Sequence, residues 1–241
     1  MRVAAWLLAA LAACSGGALG PSLAGAEPHL DVAIDAVGGA DIDTETLEIV
    51  RLSYAEAGIA VRFDVERHPE VAVPSRLVRR EDKERILAAT RRSERRGAVH
   101  VVVAPRGAGA HGVTYYPETG DDPARSGVFV FAGSIADDYA QHPLLREAGL
   151  RLEQLAARDL GHELGHALGC PHQGRPGDAT LMIQNSTLGP VSPKNIDRWR
   201  RALLGPGGRG YPELAAADIA CLHLDRKLSV EVARPAYREQ R

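Results

Sequence analysis

Between Gly161 and His172 the chain reads Gly-His-Glu-Leu-Gly-His-Ala-Leu-Gly-Cys-Pro-His. On a helix, His162 and His166 stand one turn apart on the same face, so both imidazoles can reach one metal ion. Glu163 projects to the side of that ion. Gly169 can end the helix in the left-handed conformation at little cost, and the turn brings His172 back as a third ligand. Three neutral imidazoles and one open position describe a catalytic zinc site, because a structural site would close the fourth position with another protein ligand, usually Cys. Such an ion lowers the pKa of a water to roughly 7, and Glu163 is the carboxylate placed to accept its proton. The chemistry indicated is metal-assisted hydrolysis. A helix whose histidines merely pack would not require this spacing.

The pattern His-Glu-x-x-His-x-x-Gly-x-x-His, met at His162, Glu163, His166, Gly169 and His172, resembles the long zinc motif of the metzincin metallopeptidases. The resemblance implies a methionine in a tight turn beneath the metal. Met182, in Thr180-Leu181-Met182-Ile183, is the only methionine besides Met1. It would shape the base of the site without binding the ion. The resemblance also implies an α/β (α+β) fold: a twisted mixed sheet with crossover helices, an active-site helix and a small, mainly helical C-terminal subdomain. One antiparallel edge strand would pair with an extended substrate, and Ile183 to Pro190 would wall the primed-side pocket. The implied activity is that of a zinc endopeptidase, with one catalytic Zn2+, a protein or peptide substrate and Glu163 as general base. Two other readings stay open: a non-catalytic zinc-bearing binding lipoprotein, and a zinc amidase acting on cell-wall peptides. The sequence departs from better-known branches. Gln173 follows the third His, Gln184 rather than Tyr lies two residues after Met182, and no pro-segment is expected before the first strand. The branch is therefore unassigned.

The 241 residues suffice for one domain with a substantial core. A formal charge of −2 gives the whole chain no bias toward nucleic acid. Residues 1–26 read as an export segment: Arg2 precedes an apolar run, Val3 to Ala13, that is too short to span a bilayer. Two processing outcomes compete. Leu11-Ala12-Ala13-Cys14 resembles a lipobox, which would leave Cys14 lipidated on a Gly/Ala/Ser/Pro tether and the protein in the cell envelope. Ala24-Gly25-Ala26 is a small-x-small site that would release a soluble, secreted or periplasmic protein. The apolar run abuts Cys14, which favours the lipoprotein. Membrane contact is expected only through that anchor. Cys170 and Cys221 remain as an exported pair, bridged or as two buried thiols. A bridge would hold the turn that delivers His172.

The catalytic subdomain is expected over 27–172 and the C-terminal one, with Met182, over 173–241. Leu30 to Val37 alternates as a strand. Asp43 or Thr44 can cap a helix to about Ala57, and Ile59 to Val65 makes a second strand, so a right-handed crossover and parallel pairing are expected. Residues 79–96 read as a charged, solvated helix, with a surface for anionic lipid or cell-wall polymer as the sharper alternative. Ala98 to Ala104 reads as a strand buried on both faces. His111, in a Gly-rich loop, is expected to be exposed rather than to approach a site or a second metal. Either Val113–Tyr116 or Val128–Phe131 forms the edge. Pro143 starts a helix, Gly149 breaks it, and the zinc helix runs from Leu150 to Leu168. Leu160, Leu164 and Leu168 face the core. Gly161, Gly165 and Gly169 imply that another segment, such as the one carrying Met182, passes close. Asp159 is expected to be a solvated first-turn acid, with orientation of an imidazole as the alternative. Ser192-Pro193 should start a last helix with Ile196, Trp199 and Leu203 inward.

Overall fold

A computed structural model describes residues 29–91, 97–116, 126–173 and 180–224. Residues 1–28, with the expected export segment and Cys14, and residues 92–96 of the charged stretch lie outside the described residues. The fold is mixed α/β, built on a five-stranded sheet. Strand β1 (His29–Val37) pairs in parallel with β2 (Ala60–His68), Leu30 opposite Val61 and Val37 opposite His68. Helix α1 (Thr44–Ala55) makes the crossover. Asp43 caps it by accepting the Glu45 N–H at 2.7 Å. Strand β3 (Val99–Ala104) pairs with β1 on its other side, and β5 (Gly127–Phe131) pairs with β3, both in parallel. Strand β4 (Gly112–Tyr115) runs antiparallel on β5 and forms the edge, giving the order β2-β1-β3-β5-β4. The two candidates for the edge are thereby separated: Val128–Phe131 lies inside the sheet and is fully buried.

Every residue of β3 is buried, as its unbroken apolar run requires of a strand covered on both faces. On one face Val32, Ile34, Val101, Val103, Val128 and Val130 meet α1 and the long helix α5 (Leu152–Ala167). On the other, Val102, Phe129 and Phe131 meet Ile86 and Leu87 of α2 (Arg80–Thr90). Helix α2 is shorter than its charge pattern suggests, because Arg91 takes an extended conformation. A further helix, α3 (Ala132–Gln141), leads from β5 to α4 (Pro143–Glu147). Its inward side is short: Ile135 is buried, and Ala132 and Tyr139 are partly buried against the same core. After α5 come α6 (Asn185–Leu188), α7 (Ile196–Leu204) and α8 (Ala216–Cys221). Helix α7 begins past Ser192-Pro193. These residues form a turn in which Asn195 N–H donates to Ser192 O.

Period-two reading places Asp35 on a polar face, yet that face is covered by α2. Asp35 is fully buried, and its two oxygens each accept from an imidazole at 2.8 Å, His68 Nε2 and His100 Nε2. These short contacts are charge-assisted hydrogen bonds. Asp35→Ala leaves two buried rings with a bonding partner removed. It is expected to lower unfolding stability by about 3 kcal/mol, measurable by urea denaturation with an unchanged m-value.

Candidate metal centre and cleft

Helix α5 is buried along its last three turns. Its packing explains the glycine series. A side chain on Gly165 would lie 2.2 Å from Met182 Sδ, and one on Gly161 would lie 3.2 Å from Leu181. The segment carrying Met182 therefore runs directly against the helix backbone. From the other side Tyr54 of α1, fully buried, donates its hydroxyl to Gly161 O at 3.0 Å.

His162, His166 and His172 converge. His162 Nε2 is 3.1 Å from His166 Nε2 and 3.1 Å from His172 Nε2. The far sides of two rings are fixed: His162 Nδ1 donates to Leu181 O at 2.8 Å and His166 Nδ1 to Cys170 O at 2.6 Å. A carbonyl oxygen only accepts, so the proton of each neutral ring sits on Nδ1 and the Nε2 lone pair points at the centre. Burial, the main cause, holds His162 well below the ordinary histidine range and His166 at about 4. It also lowers His172. Neutral rings with lone pairs facing one another repel unless a cation lies between them, and imidazole nitrogens are borderline donors suited to zinc. The residues present fit a zinc ion. Among the described residues no fourth His, Cys, Asp or Glu ligand atom joins this group, and all three rings line the cleft described below.

The third ligand is delivered by a braced turn. Gly169, at φ 96°, ends the helix in the left-handed conformation. Cys170 N–H donates to Gly165 O, and Gln173 N–H donates to Met182 O. Cys170 and Cys221 are joined in a disulfide spanning 51 residues, so the turn is bound to α8. A loop of that length gives about 4 kcal/mol of stabilisation in the chain-entropy account. Cys221→Ser is therefore expected to lower stability by roughly 2–4 kcal/mol. It should also weaken zinc retention, read by competition with a chromogenic chelator.

Glu163 is buried beside the three rings. Thr114 Oγ1, from the edge strand β4, lies 2.7 Å from Glu163 Oε2 and 2.9 Å from Glu163 O. A hydroxyl has one hydrogen. With Glu163 ionised it serves the carboxylate. With Glu163 protonated, the carboxyl proton is donated to Thr114, whose own hydrogen turns to the carbonyl. Burial is the main cause that pushes the Glu163 carboxyl up to about 7. Strand β4 approaches so closely that a side chain on Gly112 would lie 2.6 Å from Glu163 Cγ.

These groups line a cleft of about 410 Å³ between β4 and the Gln184–Ser186 segment. Sequence reasoning assigned two more of its residues wrongly. Asp159 is not a solvated acid: it is 5% exposed and its Oδ2 accepts from His111 Nδ1 at 2.8 Å. His111 is correspondingly half-buried in the cleft wall rather than exposed, and the imidazole that Asp159 orients is this one. Thr114 and Arg158 were missed. Arg158, 1% exposed, donates to Asp159 Oδ1, Asn185 Oδ1 and Ile183 O, tying the helix to the segment after Met182. A cation buried in a helix was not legible beforehand. Its position four residues before His162, on the same face, was the available signal.

No protein-family model and no curated protein matches the sequence. Among solved structures, the chain is similar to archaemetzincin from Methanopyrus kandleri, with 16% identity and a TM-score of 0.46 over 80% of this chain and 92% of that one. It is also similar to metalloproteinase-II from Bacteroides fragilis, with 15% identity and a TM-score of 0.44 over 76% of this chain and 54% of that one.

Proposed function

We propose that this chain is a zinc-dependent endopeptidase of the metzincin type, and that a bound ion supplies Lewis acidity to a peptide carbonyl and acidifies a water. The observation that carries the reading is the meeting of three Nε2 lone pairs with room for solvent on the cleft side. His162 and His166 are pre-oriented as ligands by Leu181 O and Cys170 O. Fixed tautomers of this kind raise ligand basicity. Glu163 takes the proton of the attacking water and passes it to the departing amine, with Thr114 holding the carboxyl in either protonation state. Strand β4 ends the strand order among the described residues, and an extended peptide can bind such an edge as an added strand. Met182, fully buried, packs against Gly165 in the helix that carries His162 and His166.

Intact Glu163 favours this reading over a zinc-bearing binding protein, which needs no base there. A zinc amidase for cell-wall peptides would use the same centre. The test is metal analysis of the purified protein together with cleavage of a peptide library, casein and cell-wall fragments. About one zinc per chain and cleavage of the library are expected for this chemistry. Zinc without any cleavage would support the binding protein, and cleavage of wall fragments alone would support the amidase. Export and lipidation at Cys14 belong to the same proposal. Cys14→Ser should move the protein from the membrane fraction to the soluble one, and an unchanged distribution would rule the anchor out.

A further inference from the structure

One end of the cleft differs chemically from its centre. One turn ahead of His162, Arg158 and Asp159 meet His111 and Asn185. Each acceptor there already has a donor. Asp159 Oδ1 takes a hydrogen bond from Arg158 and Oδ2 takes one from His111. Asn185 Oδ1 takes one from Arg158, which fixes the orientation of the amide and leaves its NH2 as the group it can offer. Donors remain. Among the described residues Arg158 Nε–H has no acceptor, although the side chain is almost completely buried. His111, whose Nδ1 donates to Asp159, also offers Nε2–H when the ring is protonated, the form that Asp159 and Asp138 favour against burial. That nitrogen faces Asp138 Oδ2 at 3.5 Å, longer than a hydrogen bond. Asp138 is partly exposed and shared with His142 Nδ1 at 3.3 Å, so an occupant can displace it from His111 without stranding it. A buried guanidinium with an unmet N–H, beside an imidazole and an amide NH2, calls for an acceptor. A planar anionic one satisfies it best.

Resting on the peptidase reading, we propose that this end of the cleft is a subsite for a carboxylate of the substrate, received by Arg158, His111 and Asn185. Being one helical turn from the metal ligands, the subsite engages the residue next to the scissile bond. The carboxylate is then either an acidic side chain there or the terminus of the chain.

Both sources are separated by matched peptides carrying Glu, Gln or Leu after the scissile bond, each with a free or amidated C-terminus. The zinc-loaded wild-type protein should cleave Glu over Gln at least tenfold better in kcat/KM whatever the terminus, if the side chain is read. It should prefer free over amidated ends by the same factor if the terminus is read. Equal values throughout overturn the subsite and leave the peptidase reading intact. If no peptide is cleaved, the peptidase reading fails, and fluorescence anisotropy of the same labelled peptides on the Glu163→Gln protein decides. Tenfold tighter binding of the carboxylate-bearing peptides supports the subsite, and equal binding overturns it. Arg158→Gln should bring the preference close to one. Should that variant fail to fold by circular dichroism, His111→Gln, which keeps the Arg158 bonds, should lower it at least threefold. An unaltered preference in whichever variants fold also overturns the subsite.

Discussion

Glu163→Gln is expected to reduce kcat about 10³-fold, the middle of the range for a positioned general base, while zinc content stays at the wild-type level. The amide keeps the shape of the carboxyl and can still face Thr114, so the cleft and the three imidazoles are undisturbed. What is lost is the acceptor for the water proton. A fall in zinc content parallel to the fall in rate would mean that Glu163 holds the centre together rather than moving a proton. The metal-free protein supplies an independent measurement. Burial raises the folded-state pKa of Glu163 from 4.5 to about 7. Between these values the folded chain holds a proton that the unfolded chain has released, so this group's contribution to stability declines as pH rises from about 4.5 to 7. Above pH 7 the ionised, buried carboxylate is a full liability of roughly 3 kcal/mol. Metal-free Glu163→Gln should therefore be more stable than metal-free wild type at pH 8, with the difference shrinking toward pH 5. Equal urea midpoints at both pH values would refute the assignment of a buried, strained charge.

Chelation carries the second large effect. Removing zinc should abolish activity and lower unfolding stability by about 4 kcal/mol relative to protein held at a thousandfold excess of zinc over its dissociation constant. The loss arises because three desolvated lone pairs are left facing one another with no cation between them. The metal-free protein should lose further stability on acidification. The folded-state pKa of His166 is depressed to about 4, below its ordinary 6.5. The unfolded state then binds more protons, and stability falls as pH drops from about 6.5 to 4. In this window the metal-free His166→Gln variant should show a flatter pH profile than metal-free wild type. Restoring zinc to the wild type should recover both activity and midpoint. Activity that survived exhaustive chelation would remove the metal from the mechanism.

How far the sequence disclosed this arrangement depended on whether local periodicity carried the information. The spacing of His162, His166 and His172 is set by helix geometry and one glycine turn, so their convergence was legible. The four-residue glycine series announced a close approach, and Leu181 and Met182 make it. Tertiary partners were not legible. Nothing near Thr114 signals that β4 will fold over Glu163, because that contact joins positions 49 residues apart. Asp159 read as solvent-facing because charged residues in a helix usually are, and Arg158 beside it drew no reading. Only the covering segment 183–185 and His111 reverse that. Asp35 misled for the same reason: alternation fixes which face a side chain takes, but not whether another layer covers that face. Helix α3 escaped because its inward positions, Ala132, Ile135 and Tyr139, include one small and one amphipathic side chain, a weak periodic signal.

The brace on His172 has a consequence for the order of events at the ribosome. A nascent chain that has emerged as far as His172 already carries all three imidazoles, yet it lacks Leu181 O, Met182 and Cys221, which orient them. The geometry that gathers the three rings is thus complete only once the chain has been made through α8 and has folded back on α5, and the disulfide then secures it.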